Sequence, residues 1–333
     1  VAQTDDPAEA AELAEWLDKV VGEAMTEFDV PGAVVGLTVD GVTVLRGYGL
    51  ADIAAATPMD PLNTRLPVAS VTKIYTAAAV LELAAQGRCD LNADVSTLVE
   101  GLDFRGAFSE PITIAHLLTH TAGLDERNLD RYLPLEQAPE SVRDYLLDSM
   151  PRRIRPPGGV YQYSNHGMAL AGLAAEECAD TPFPELLDEL VFAPLGMHSS
   201  SLAPDVERNA TGYVSTDRGL EARPPHYVRT AYSGMLVSTA ADQMRMIEEI
   251  LKRTTLDPRT IEGLTSPQFR HDDISCGSAF GMFEDRWSDV PYFWHEGQTQ
   301  GFYAGFYVIP SRRIGLFVAG NRHRSALVRT VRY

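Results

Sequence analysis

The stretch Val68-Ala69-Ser70-Val71-Thr72-Lys73-Ile74-Tyr75-Thr76-Ala77-Ala78-Ala79-Val80-Leu81 decides the reading of this chain. It is a run of small and apolar residues that predicts a helix stopping near Gly87, with one hydroxyl and one amine at its mouth. Positions i and i+3 share a helix face, so the Lys73 amine is expected within reach of the Ser70 hydroxyl. A serine hydroxyl is a weak nucleophile until a neighbour takes its proton. An amine does so when burial and nearby positive charge bring its pKa down toward neutrality. Lys73 is one of three lysines, and neither Lys19 nor Lys252 has a serine at that spacing. The segment also reads as a plain helix start with a surface lysine, so other residues must decide.

The flanking sequence supplies a sheet. Ala11, Leu13, Ala14, Leu17, Val20, Val21 and Ala24 recur at helical spacing after Asp6-Pro7, predicting a helix over residues 7–28. Ala33 to Val39, the pair Asp40-Gly41, and Val42 to Leu45 read as a hairpin with a tight turn. A helix-rich, turn-broken stretch then runs to about residue 205, and Ser238-Thr239-Ala240-Ala241-Asp242 opens a helix reaching Lys252. Phe302 to Ile309, a Pro310-Ser311 turn and Ile314 to Ala319 return to strands. Strands at both ends predict one sheet built from both termini, in an α/β (α+β) chain. Residues 1–66 with 230–333 would form the sheet lobe, and 67–229 a mostly helical lobe inserted as one wall of a cleft.

Composition narrows the function classes. With 333 residues and 45% hydrophobic content the chain can bury one large core or two lobes. A net charge of −18 argues against nucleic acid or anionic membranes as partners. No apolar run approaches the ~18 residues that span a bilayer. Cys89, Cys178 and Cys276 are widely separated, lack metal or redox spacing, and are expected to be mostly buried thiols. The chain begins at Val1 rather than Met, as after removal of an export signal, so an exported location is expected. It stops within an apparent helix from Ser325 to Arg332, as an excerpt of a longer protein would.

Two more clusters join the Ser-Lys pair. In Pro156-Pro157-Gly158-Gly159-Val160-Tyr161-Gln162-Tyr163-Ser164-Asn165, a turn presents a Tyr-x-Asn triplet before an apolar helix. Tyr163 suits a phenolate-like base or a proton relay, and Asn165 can donate an amide to a substrate carbonyl. A loop tyrosine followed by a helix cap is the plainer reading. In Trp294-His295-Glu296-Gly297-Gln298, Gly297 would let a substrate lie against the backbone, and the Gln298 N–H suits a developing oxyanion. A structural histidine before a strand is the plainer reading here too.

Together, Ser70-Val71-Thr72-Lys73, Tyr163-Ser164-Asn165 and His295-Glu296-Gly297 resemble, in order and spacing, the three motifs of serine β-lactamases and penicillin-binding proteins. The resemblance is to the class C β-lactamase-like branch, with its D-aminopeptidases, D-amino-acid amidases and carboxylesterases. Ile114 to Leu124, containing Leu117-Leu118-Thr119-His120-Thr121-Ala122-Gly123-Leu124, and Gly234 to Asp242 are similar to that branch's connecting segments. The resemblance implies a β-lactamase/transpeptidase-like fold, an antiparallel sheet flanked by helices with a mostly helical lobe. It also implies acyl transfer to Ser70, with Lys73 and Tyr163 sharing the proton. Asn165 and His295 would hold substrate and phenolate charge, and the N–H groups of Ser70 and Gln298 would form the oxyanion hole. No metal or cofactor is implied, and the partner is a small-molecule or short-peptide substrate.

The departures bear on substrate. Penicillin-recognising members commonly carry Lys-Thr-Gly where this chain has His295-Glu296-Gly297, so the cation that attracts a substrate carboxylate is missing. Glu296 either faces the cleft, where it would hold a substrate amine, or is turned away by strand alternation. The expected activity is therefore that of a peptidase, amidase or esterase. A true β-lactamase or D-Ala-D-Ala carboxypeptidase is the alternative, with Arg322 or Arg324 supplying the charge, and a non-hydrolysing acylated sensor is the second alternative. Substrate choice would lie in residues 125–155 and 205–230. His116 and His120, four apart, lack the glutamate of a zinc-protease helix and read as structural. No Gly-x-Ser-x-Gly elbow supports an α/β-hydrolase.

Overall fold

The computed structural model describes residues 2–3, 7–127, 131–137, 141–202, 209–272, 276–323 and 326–332. Helix α1 (Pro7–Glu27) buries Ala10, Ala14, Leu17, Val21 and Ala24, a stripe at three- and four-residue intervals. Strand β1 (Ala2–Gln3) pairs with β3 (Val42–Asp52), which forms the expected hairpin with β2 (Gly32–Val39). Asp40 (φ 49°) and Gly41 (φ 95°) supply the two left-handed positions that this tight turn requires. Near the other end come β4 (Phe283–Trp287), β5 (Val290–Thr299), β6 (Phe302–Ile309) and β7 (Ile314–Gly320). The sheet runs β1-β3-β2-β7-β6-β5-β4, every pair antiparallel, with Thr57–Pro58 added against β3. The two ends of the chain meet where β7 pairs with β2, from Ile314 opposite Val39 to Gly320 opposite Ala33. One sheet from both termini is what the strand pattern predicted.

Each face of this sheet is covered, which explains why β2, β6 and β7 are buried almost without alternation. On one face α1 and α5 (Leu327–Arg332) pack over Val35, Val44, Val318 and Tyr303. On the other lies a larger core holding α2 (Thr72–Ala85), α3 (Asn165–Ala179) and α4 (Ala240–Lys252). Helix α2 is buried at every position from Thr72 to Leu83, and α3 from Asn165 to Ala175. Helices that are apolar all round belong at the centre of a core, and both begin at the residues singled out as chemical. The chain between α2 and α4 also carries two small antiparallel pairs, Gly212–Thr216 with Gly219–Arg223 and Tyr132–Pro134 with His226–Val228. Among the described residues no helix is long and apolar enough to cross a membrane.

The cysteines correct the expectation of buried thiols. Cys89 and Cys178 form a disulfide with their Cα atoms 5.5 Å apart, and Cys276 is exposed. Cys89 lies just past the end of α2 and Cys178 in the last turn of α3. The packing of these two helices closes a sequence gap of 89 residues that spacing alone does not reveal.

Candidate active site

Ser70 sits in the single 3₁₀ turn Ala69–Val71 that leads into α2. Ala69 has φ 48°, an uncommon conformation for a residue with a Cβ, which sets the nucleophile on a sharp corner. Neighbouring bonds hold that corner: Val68 N–H donates to the Leu236 carbonyl at 2.9 Å, and Leu236 N–H to Thr72 Oγ1 at 3.1 Å. Strand β4 pairs with β5 only as far as Trp294, so beyond it β5 is free on that side to approach the turn. Gly297 makes this possible. A Cβ there would lie 2.0 Å from the Val68 carbonyl oxygen and 2.9 Å from Ser70 N.

Lys73 is fully buried, and its amine reaches three oxygens: Asn165 Oδ1 at 2.8 Å, the Ser233 carbonyl at 2.7 Å and Ser70 Oγ at 3.0 Å. Burial, helped by the Arg131 charge, pushes its pKa well below the usual lysine range, while Glu126 opposes the shift. The hydrogen bonds accommodate a neutral amine without loss. The amide and carbonyl oxygens are acceptors only and take two N–H groups; Ser70 Oγ–H then donates to the remaining lone pair. That is the geometry of a general base in contact with its nucleophile.

The Tyr163-Ser164-Asn165 segment is braced from below by two residues that sequence analysis did not place in the site. The His120 carbonyl accepts from Gln162 N–H at 2.7 Å, its Nδ1 accepts from Ser164 N–H at 3.2 Å, and its ring lies 4.5 Å from the Tyr163 ring. Glu126 accepts from Asn165 N–H at 3.0 Å and from Asn165 Nδ2 at 2.8 Å. A carboxylate accepts only, so it turns the Asn165 amide to give Oδ1 to Lys73. Tyr163 is partly buried and hydrogen-bonded to Ser70; desolvation raises its pKa, and the Ser70 bond opposes this only in part. Tyr163 is thus a neutral phenol at rest, suited to relaying a proton rather than holding a standing charge.

Along β5 the side chains alternate. Glu296 points away from the cleft, where it accepts hydrogen bonds from Tyr303 and, at 2.7 Å, from Tyr307. Those tyrosines flank Gly305, which is the partner of Glu296 across the sheet and leaves room for the Tyr307 ring. Of the two orientations open to Glu296, this excludes a hold on a substrate amine. His295 faces the Tyr163 side, with 6.1 Å between the rings. Its Nδ1 meets the Glu296 carbonyl at 2.7 Å, an acceptor only, so Nδ1 carries the hydrogen and Nε2 the lone pair. Nε2 is buried without a protein partner. Burial and the Lys73 charge bring the His295 pKa down to about 3, so the ring is neutral at ordinary pH. Gln298 lines one pocket with Ser70, Asn165, Ser233, Tyr132 and Arg131.

Ser70, Lys73, Tyr163, Asn165, His295, Gly297 and Gln298 thus converge on one cleft. Arg131 is the cation at its mouth, lying over the Tyr132 ring at 4.8 Å and 3.9 Å from Glu126. Glu126 follows the quoted Gly123-Leu124 segment by two residues, and that proximity was the available signal. The Ser233 contribution is a backbone carbonyl, which no side-chain pattern announces. Arg322 instead donates to Ser215 Oγ at 2.6 Å, and Arg324 lies outside the described residues. His116 spends its Nδ1 on Thr113 N–H at 3.2 Å as part of a helix cap, apart from His120. Among the described residues no group of three metal-ligating side chains occurs.

A sequence model of the Beta-lactamase family matches residues 17–332. The chain is 36% identical over 228 residues to Esterase EstB of Burkholderia gladioli, covering 62% of this chain and 56% of that one. It is 25% identical over 330 residues to a D-aminopeptidase of Cereibacter sphaeroides (strain KD131 / KCTC 12085), covering 93% and 60%. A solved class C beta-lactamase superposes with a TM-score of 0.82 at 19% identity, covering 99% of this chain and 96% of that one. The chain therefore belongs to the beta-lactamase family and has its β-lactamase/transpeptidase-like fold. It spans about three fifths of the length of the curated relatives it matches.

Proposed function

We propose that this protein is a serine hydrolase that acylates Ser70 with esters or amides and then hydrolyses the acyl-enzyme. The carrying observation is the Lys73 amine, buried, 3.0 Å from Ser70 Oγ, with Asn165 and Ser233 taking the two hydrogens of its neutral form. Ser70 Oγ attacks the substrate carbonyl as its proton passes to Lys73. Tyr163, bonded to Ser70, relays a proton to the departing alcohol or amine. The Ser70 and Gln298 N–H groups receive the oxyanion. Water, deprotonated by the same groups, then releases the acid. A positioned base of this kind contributes roughly 10²- to 10⁴-fold, and an oxyanion donor roughly 10²- to 10³-fold.

The third motif supports substrates without a carboxylate to dock. His295 puts a buried, neutral ring where penicillin-recognising relatives carry a lysine, so no positive charge at that position draws a carboxylate. Mass spectrometry with an active-serine probe tests the chemistry: one adduct is expected on Ser70 and none on Ser70→Ala. Turnover of short esters and aminoacyl amides, compared with penicillins and cephalosporins, tests the preference. A β-lactam kcat/KM above every ester and amide would overturn it, and would give Arg131 the docking role. An adduct that persists for hours would instead make the protein a sensor. The Cys89–Cys178 disulfide supports an oxidising, exported location.

A further inference from the structure

A second cavity, of about 120 Å³, adjoins the pocket that Ser70 lines. The two share Val228, Gly234 and Thr299 as a common border. Beyond that border the wall is mostly apolar, with Pro67, Pro224, Pro225, Met235, Val237 and Phe302, and Arg223 and Gln300 are among its polar side chains. Pro67 stands three residues before the nucleophile, and Thr299 directly follows the oxyanion-side Gln298. His226 in the wall is neutral, since burial and the Arg131 charge bring its pKa down to about 4, and its Nε2 is joined to Thr299 Oγ1 at 2.6 Å. Asn209 Oδ1 is buried there without a protein partner. Among the described residues no carboxylate lines this cavity.

We infer that this cavity holds the side chain of the acyl group, and that the preferred acyl group is apolar, about four to six carbons or one phenyl ring beyond the carbonyl. This deepens the proposed acyl-Ser70 chemistry and rests on it. Position assigns the acyl part rather than the leaving group. The leaving group must sit where Tyr163 can protonate it, and the rings around Tyr163 are His120, Phe283 and His295. None of them lines this cavity. The acyl part, still attached to Ser70 after the leaving group has gone, lies on the Gln298–Thr299 side. Size sets the length, since a dry cavity of about 150 Å³ takes one benzene ring in an engineered lysozyme. The partnerless Asn209 oxygen at the wall would accept one hydrogen bond from a hydroxyl or N–H carried by the acyl group.

A ladder of p-nitrophenyl esters from acetate through butyrate and hexanoate to decanoate, with phenylacetate, holds the leaving group constant. Each methylene that enters the cavity should raise kcat/KM roughly fourfold, with the rise ending near hexanoate. Ala210→Leu, which adds three carbons to the lining, should leave acetate turnover unchanged and move the optimum to a shorter chain. Should that variant fail to fold, rates of Ser70 inactivation by methyl-, butyl- and benzyl-phosphonate p-nitrophenyl esters of the wild type give the same ladder without turnover. A flat or falling acyl ladder in an active hydrolase overturns this inference and leaves the proposed function standing. No reaction at Ser70 with any ester, amide or phosphonate overturns both.

Discussion

The two walls of the cleft are finished to different degrees. On the α2–α3 side every hydrogen of a neutral Lys73 has an acceptor, the Asn165 amide is turned by Glu126, and the Tyr163 ring rests on His120. On the β5 side, among the described residues, the buried His295 Nε2 has no protein partner and the strand edge beyond Trp294 has no neighbouring strand. A wall that is already satisfied handles protons the same way for every substrate. A wall with unused lone pairs and backbone groups waits for a particular one. Chemistry and selectivity are thus divided between two faces that meet at Gly297.

Several substitutions break or sharpen that division. The largest loss should follow Ser70→Ala, about 10⁴-fold or more in kcat for every substrate, measured by ester and amide turnover with the fold checked by circular dichroism. Lys73→Ala and Tyr163→Phe should each cost roughly 10²- to 10⁴-fold in acylation rate. In a double-mutant cycle the two losses should not add, because the groups pass one proton; additive losses would mean they act separately. Gly297→Ala pushes a methyl against the Val68 carbonyl, and moves β5 away from Ser70. Removing one oxyanion donor costs roughly 10²-fold or more, so kcat should fall by about that with little change in KM for small esters.

The last two predictions concern His295 and are smaller. His295→Lys places a cation at the unfinished wall, worth roughly 10- to 150-fold for a substrate carboxylate. The ratio of cephalosporin to ester kcat/KM should rise accordingly; an unchanged ratio would free the third motif from any role in selectivity. His295 also titrates at about 3 in the folded chain, against about 6.5 when unfolded. Between those values the unfolded chain binds the extra proton, so stability is full above about pH 6.5 and is lost as pH falls toward 3. His226, at about 4, adds in the same direction. Urea midpoints measured from pH 4 to pH 7 should therefore climb less steeply in His295→Asn than in the wild type.

The legible and illegible parts of the molecule divide by range. The Asp40-Gly41 hairpin, α1, α2 and the β6–β7 pair are written in local spacing and turn chemistry, and the sequence states them outright. Ser70 and Lys73 share that legibility, being one helical turn apart. Tyr163, Asn165 and His295 needed family resemblance to be joined to them, since no local rule links positions 73, 163 and 295. His120 and Glu126 were missed because their partners are backbone and amide groups some 40 residues away. Strand alternation leaves Glu296 two orientations, and the deciding fact is on the next strand, where Tyr303 and Tyr307 donate to it across Gly305. The disulfide stayed hidden for the same reason, because it needs two helices already packed.

That disulfide gives the catalytic frame a fixed far side. Helices α2 and α3 start at the cleft, where Lys73 meets Asn165 at 2.8 Å, and Cys89 and Cys178 fasten them at their other ends. Two rods joined at both ends cannot splay or slide without breaking one of the joints. The near joint is a hydrogen bond that must stay adjustable during the reaction, so the rigidity has to come from the far one. Closing a loop of this length restricts the unfolded chain by about 4–5 kcal/mol in chain-entropy terms. Reduction of this bond, far from Ser70, would therefore lower the stability of the fold without touching any group of the candidate site.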